Sequence, residues 1–310
     1  MADLQAGGLS RASVMIDLGR YRDAASLLAE LLATDPDNAR GWCLLSRAHL
    51  GSGQAGEALT AAHRAGALNP ADDWPGRLAS TALLELGRPA EAVIAALEAR
   101  TLAPHFWRPH VCLAQAASAD GQHELAAEAA AAALAIAPHE ADVHVAAGKA
   151  ALGRGDLAQA RIRQQAALAI EPANGGALNE LGRISLRSRD AAGAAAHFLS
   201  AARVSPDSAA FSRNSELALD RVAGRLRAAV ILLVIAAICL VLMALAGRVW
   251  IGVALPLPLP GLALAAWAFA QIRRLPPAGR RHLRLLLLLS RRSRRARQRP
   301  AAGHGHGHGT

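Results

Sequence analysis

The side chains best suited to chemistry in this sequence are its histidines, its three cysteines and one lysine in a glycine-containing stretch. His105, His110, His139 and His144 fall in two similarly spaced pairs. A divalent metal would need such imidazoles to converge on one point. All four lie at the boundaries of a repeating pattern described below, so helix-end and turn positions account for them without a ligand. His304, His306 and His308 sit in a terminal Gly-His alternation, which suits weak metal binding but reads more simply as a low-complexity tail. Cys43, Cys112 and Cys239 are far apart and form neither a disulfide framework nor a CxxC pair. Cys43 and Cys112 read as small apolar fillers. Gly148-Lys149-Ala150 lacks the preceding glycine of a phosphate-cradling loop, and no HExxH is present. We therefore expect no catalytic residue, no resident metal and no cofactor, and read the chain as noncatalytic.

The charge distribution separates two polymers. Residues 1–212 carry 18 basic and 22 acidic groups, and residues 213–310 carry 16 basic and only 2 acidic groups. No Asp or Glu follows Asp220. Aromatic residues make up 3% of the 310-residue chain, which excludes a large core built on Phe, Tyr and Trp.

The first polymer is periodic. Pro36, Pro70, Pro104, Pro138, Pro172 and Pro206 are spaced by 34 residues without slippage. In the same register lie Ala24, Ala58, Ala92, Ala126, Ala160 and Ala194, and the small residues Ala12, Ser46, Ser80, Ala114, Gly148 and Gly182. Gly19, Gly53, Gly87, Gly121 and Gly155 form a further series, which Arg189 breaks in the last unit. A mid-unit glycine suits a tight helix–helix turn at positive φ. A proline lacks the N–H needed to continue a helix and disfavours helix in the residue before it. The small residues allow helix backbones to approach. Between these marks Ala, Leu, Glu and Arg favour helix. Each unit is expected to be two short antiparallel helices that bury their apolar faces only when stacked on neighbours.

This pattern resembles the tetratricopeptide repeat family, whose period and Trp, Leu-Gly, Tyr, Ala, Phe, Pro positions it shares in part. The second unit carries Trp42, Leu45, Ser46, Gly53, Ala58 and Pro70, and the sixth Leu178, Leu181, Gly182, Ala194, Phe198 and Pro206. The family's tyrosine position holds Met15, His49, Leu83, Ala117, Ala151 and Ser185 instead. The resemblance implies an all-α solenoid of six repeats at 5–38, 39–72, 73–106, 107–140, 141–174 and 175–208. The first repeat, with Gly7 and Gly8 in its first helix, is expected to be the least stable. The resemblance also implies a concave groove, lined by first helices, that binds extended peptides or partner helices. Carried over position by position, that groove would contain Arg40, Cys43, Arg47, Arg77, Thr81, Arg108, Gln115, Lys149, Asn179 and Arg183, with Asp142 and Glu180 among them. Positive groups predominate, pointing to a protein or peptide partner of acidic character. The family's carboxylate-clamp set of Lys and Asn is not reproduced.

The second polymer reads as a membrane anchor. Residues 228–247 are 20 consecutive uncharged residues, enough to span a bilayer's hydrocarbon core of roughly 30 Å. Residues 249–272 form a second apolar run whose start is interrupted by Pro256, Pro258 and Pro260, so the crossing part is expected near 255–272. Residues 209–227 read as a capping and juxtamembrane helix continuing into the first span. Asp207 or Ser208 would cap it, Phe211, Leu217 and Leu219 would cover the last repeat, and Gly224 could kink it. Arg213, Arg221, Arg225 and Arg227 precede the first span, Arg273, Arg274, Arg280, Arg281 and Arg284 follow the second, and only Arg248 lies between. The positive-inside rule then places both termini in the cytoplasm. The N-terminus lacks the basic start and apolar core of a signal peptide. Residues 273–310 read as a basic tail with a short interfacial run, Leu285 to Leu289. Arg291, Arg292, Arg294 and Arg295 lie within a cluster suited to anionic lipid at the inner face, nucleic acid being the less favoured alternative.

The expected whole is a membrane-anchored scaffold or adaptor at the cytoplasmic face. A structural accessory subunit of an integral membrane complex is the alternative.

Overall fold

The computed structural model describes residues 2–206, 208–245, 258–277, 279–281 and 283. Arg248, Pro256, Arg284, Arg291, Arg292, Arg294, Arg295, the Leu285–Leu289 run and the histidine tail lie outside the described residues. All regular secondary structure among the described residues is α-helical. It divides into two compact units, residues 1–172 and 173–310.

The first unit contains five helix pairs. They are α1 (Ala2–Asp17) with α2 (Tyr21–Thr34), α3 (Ala39–Gly51) with α4 (Ala55–Leu68), α5 (Asp73–Glu85) with α6 (Pro89–Leu102), α7 (Trp107–Ala119) with α8 (His123–Ile136), and α9 (Ala141–Gly153) with α10 (Leu157–Ile170). From α3 on, first helices begin at residues 39, 73, 107 and 141, so each pair is displaced by 34 residues from the last. Each second helix packs on its own first helix and on the first helix of the next pair in this unit. The second unit contains α11 (Gly175–Arg187) with α12 (Ala191–Val204), then α13 (Ala209–Leu245) and α14 (Pro258–Arg274).

The turns inside the pairs depend on backbone handedness. Gly19, Gly53, Gly87, Gly121 and Gly155 have φ between 71° and 81°, a region L-residues avoid because Cβ meets the following carbonyl. In the sixth pair Arg189 holds this conformation, with φ 59°. Its carbonyl accepts a hydrogen bond from Arg225 Nη1 at 2.8 Å, a contact that needs no side chain at 189. Arg189→Gly should therefore stabilise the protein by about 0.5–1 kcal/mol, the left-handed penalty less glycine's unfolded-state entropy. Thermal unfolding would measure it; an equal gain in Arg189→Ala, which keeps the strained L-residue, would place the effect elsewhere.

The first turn of α7 and of α9 carries a histidine that is buried. His110 Nε2 lies 2.8 Å from the carbonyl of Pro104, and His144 Nε2 lies 2.8 Å from that of Pro138. A carbonyl only accepts, so Nε2 is the protonated nitrogen. Trp42 Nε1 donates to Pro36 in the same way at 2.8 Å. The three residues share one repeat position, and each fastens a first helix to the proline turn before it. His105 and His139 are exposed.

The small residues of the first helices do more than allow close approach. Ser46 and Ser80 are fully buried and donate to the carbonyls of Ala58 and Ala92 at 2.8 and 2.9 Å, which satisfies hydroxyls that could not be buried alone. Gly148 and Gly182 instead leave room for Gln164 and Phe198, which occupy equivalent positions on their second helices. Gln164 is fully buried and donates to the carbonyl of Val145 at 3.1 Å.

In the second unit α13 is one continuous helix of 37 residues and runs through Gly224. Ser208 Oγ accepts from the Phe211 amide at 3.4 Å, while Asp207 lies outside the described residues. Phe211 packs against Gly175 and Leu219 is buried, but Leu217 is 54% exposed and covers nothing. The helix period explains this, because residues two apart point to different faces. α14 begins at Pro258, a position that tolerates the missing N–H. One side of its C-terminal part packs inward. Ala268 and Ile272, together with buried Leu275 and Leu283, pack against Phe198, Leu219, Val222 and Leu226 of α12 and α13. Arg274 adds an ion pair to Asp190 at 3.5 Å.

Candidate functional site

Three of the nine polar residues assigned to a groove come together. Arg47 on α3, Arg77 on α5 and Arg108 on α7 line a cavity of about 460 Å³ with Trp74. First helices one repeat apart lie side by side, so Arg47 from the C-terminal half of α3 meets Arg77 and Arg108 from the N-terminal halves of α5 and α7. Arg40, Thr81, Gln115 and Lys149 are on first helices of the same unit but do not line this cavity. Arg40 and Thr81 are exposed, and Thr81 Oγ1 donates to the carbonyl of Arg77 at 3.0 Å. Asn179 and Arg183 belong to the second unit. Asn179 Oδ1 accepts from Asn214 at 2.8 Å, and Arg183 pairs at 2.9 Å with Glu180, which is 3% exposed. Cys43 is fully buried and cannot line a groove; its position faces the core between α3, α4 and α5. Burial pushes its thiol up to about 12, and burial also raises that of Cys112, so neither is an activated nucleophile.

The cationic stripe is largely self-neutralised. Arg47 pairs with Asp17 at 3.0 Å with both partners well exposed, a contact worth about 0–1 kcal/mol. Arg77 pairs with Asp73 in a more enclosed setting, at 19% and 15% side-chain exposure, which fixes it as a wall of the cavity. Arg108 makes no ion pair among the described residues. Its guanidinium carbon lies 4.7 Å from the Trp107 ring centroid and 5.2 Å from that of Phe106, while Arg77 lies 5.8 Å from Phe106. One phenyl ring is thus in cation–π range of two guanidiniums. On α9, partial burial followed by the charges of Glu171 and Glu140 raises the Asp142 carboxyl, opposed by Arg108 and Lys149.

Trp74, which lines the cavity, and Phe106 and Trp107, which back its arginines, are the residues that the charge pattern did not reveal. A signal for Phe106 was present in the repeat register. The residue before each first helix is Asn38, Asp72, Phe106, Glu140 or Asn174. Asn38, Asp72 and Asn174 accept a bond from their helix's first turn, at 2.9, 3.0 and 2.9 Å; Phe106 cannot.

Of the arginines assigned to a membrane surface, Arg273 and Arg274 end α14 and Arg280 and Arg281 follow it. Arg273, Arg274, Arg280 and Arg281 are exposed. Arg273 lies 5.5 Å over the Phe269 ring, and Arg280 Nε donates to the carbonyl of Leu275 at 2.7 Å. Among the described residues one helix, over Ala210–Cys239, is long and apolar enough to cross a membrane. Val230, Ile231, Leu232, Val234, Ile235, Ile238 and Leu242 of α13 are each at least half exposed. α14 has 17 residues.

Paired antiparallel helices at a 34-residue displacement, turned on positive-φ glycines and closed by prolines, define a helix-pair repeat fold. It is the fold of tetratricopeptide repeat proteins. The sequence model described as tetratricopeptide repeat matches residues 15–74. A thermophilic tetratricopeptide repeat protein of Thermus thermophilus is similar in structure, with a TM-score of 0.52 and 21% identity over 61% of this chain and 98% of that one. PilW, a type IV pilus biogenesis factor, gives 0.53 and 17% over 68% and 97%. A tetratricopeptide repeat protein of Parabacteroides merdae gives 0.59 and 13% over 69% and 84%. No curated protein sequence matches the chain.

Proposed function

We propose that this protein is a membrane-anchored scaffold whose tetratricopeptide-type repeats hold a protein or peptide partner of acidic character at the cytoplasmic face. The observation that carries the reading is the convergence of Arg47, Arg77 and Arg108 with Trp74 around one cavity on the first helices. Its volume of about 460 Å³ falls within the range of sites that enclose small groups or peptide side chains. Membrane anchoring is supported by the exposed apolar side chains of α13 beyond residue 229. The anchor in this reading is a hairpin of two spans, 228–247 and a second within 249–272. The arginines on either side of it orient both termini toward the cytoplasm. Exposed Arg273, Arg274, Arg280 and Arg281 would then lie at the level of anionic headgroups.

The test is affinity capture of the full-length protein from detergent-solubilised membranes, with bound proteins identified by mass spectrometry. A variant carrying Arg47→Glu, Arg77→Glu and Arg108→Glu is run beside the wild type. A partner depleted at least about 10-fold in the variant is expected, since reversing charge at a desolvated contact changes affinity by well over 1.4 kcal/mol. An identical partner set in both would remove the basic cavity from function.

A further inference from the structure

The aromatic residues around Arg108 point beyond a site that reads charge alone. We infer that the cavity of Arg47, Trp74, Arg77 and Arg108, with Phe106 at its edge, is a binding site for a peptide in which a carboxylate side chain adjoins an aromatic ring. This rests on the reading of the cavity as a partner site and specifies the partner's chemistry.

Three observations carry it. The chain has only ten aromatic residues, 5 Trp, 4 Phe and 1 Tyr, yet Trp74 lines the cavity and Phe106 and Trp107, 6.1 Å apart, both lie in cation–π range of Arg108 at its wall. Chance placement in an alanine-rich solenoid does not account for that. Second, Phe106 occupies a register position that is polar in its neighbours, Asn38, Asp72, Glu140 and Asn174. It gives up a helix cap, with no side-chain acceptor for the first turn of α7. Such caps stabilise helices, so the position gives up a cap and gains a ring that packs in part on the core beside Trp107 and faces two guanidiniums. Residues that lower stability at a concave site are characteristic of function. Third, the three arginines differ in availability. Arg77 is held by Asp73 in a partly enclosed pair, whereas the Arg47–Asp17 pair is exposed and weak, and Arg108 has no ion pair among the described residues. An incoming carboxylate would therefore be bound by Arg108 and Arg47. Arg108 is already immobilised by Phe106 and Trp107, so little side-chain entropy is lost on binding. A ring beside that carboxylate can stack on the planar guanidinium or on Trp74.

The test is isothermal titration of the full-length protein in detergent with three end-blocked hexapeptides, of alternating Asp-Phe, Asp-Ala and Lys-Phe. The Asp-Phe peptide should bind about 10-fold more tightly than either other peptide, since Asp-Ala lacks the ring contacts and Lys-Phe lacks the charge-assisted ones. Arg108→Gln, an exposed change, should reduce Asp-Phe binding about 10-fold. Phe106→Asn should do the same, the restored cap offsetting part of the packing that the ring gives up. A purely structural Phe106 would lower the melting temperature and leave binding intact, which would overturn the inference. Equal affinity for Asp-Phe and Asp-Ala overturns the inference but leaves a basic groove standing. Undiminished Asp-Phe binding by Arg108→Gln overturns it at this cavity. Binding as expected, alongside an unchanged partner set in the charge-reversed variant, would instead remove the scaffold reading.

Discussion

Phe198→Ala is expected to destabilise the second unit by about 3–5 kcal/mol, the largest effect of any single truncation in this fold. Phe198 is 1% exposed and joins α12 to both α13 and the base of α14. It fits because the facing residue on α11 is Gly182: a Cβ added there would lie 2.5 Å from Cε1 of the ring, too close for any carbon pair. Gly182→Ala alone should therefore also destabilise, by about 1–3 kcal/mol, through overpacking. The two effects should not add. In the fourth pair the same positions hold Ala114 and Ala130, both buried and mutually compatible. Combining Gly182→Ala with Phe198→Ala recreates that arrangement, since the new methyl group enters space the ring has left. The double variant should be more stable than the sum of the single changes by about 0.5–3 kcal/mol. Chemical denaturation of the four proteins closes the cycle; strict additivity would mean that the ring and the glycine are not packed on one another.

Leu275→Asp should detach the base of α14. Leu275 is 1% exposed within the cluster built on Phe198, Leu219 and Val222. A carboxylate there would be buried among the apolar side chains of that cluster, and burying a charge in such surroundings costs several kcal/mol. The chain can limit the cost by releasing α14, which is otherwise held by Ala268, Ile272 and the Arg274–Asp190 pair at 3.5 Å. That pair has side-chain exposures of 60% and 38%, so it is too weak to hold the helix alone. The expected result is protection lost from amide exchange over residues 266–277 and 218–226, with the first unit unchanged. Protection retained there would show that the base of α14 stays docked through its backbone geometry.

Local rules made much of this fold legible. The 34-residue proline and glycine registers correspond to chain directions that depend on one residue's own φ or missing N–H, so they are visible in one dimension. Arg189 illustrates the point, because its break in the glycine series coincides with a left-handed L-residue. Positions whose role depends on a partner across the fold were less legible. Cys43 carries a groove register but is fully buried. His110 and His144 sit where helix ends were expected, yet they take over the hydrogen bond that Trp42 makes in its own repeat. Leu217 and Leu219 are equally apolar, and only the rotation of α13 against the last pair buries one and exposes the other.

The candidate site divides along the same line. Charge and register are properties of the sequence alone, so the positive series on the first helices could be read directly. Which charges are spent on neighbours depends on distances of a few ångströms between helices: Arg47 on Asp17, Arg77 on Asp73 and Arg183 on Glu180. The repeat, its turns and the separation of a charged solenoid from an apolar, arginine-flanked C-terminal region were determined by the sequence, because steric rules and hydropathy act within a few residues. The gathering of Arg108 with Phe106 and Trp107, and the seating of α14 on Phe198, were decided by tertiary packing, because electrostatic and dispersion contacts fall off steeply with a separation that no linear pattern encodes.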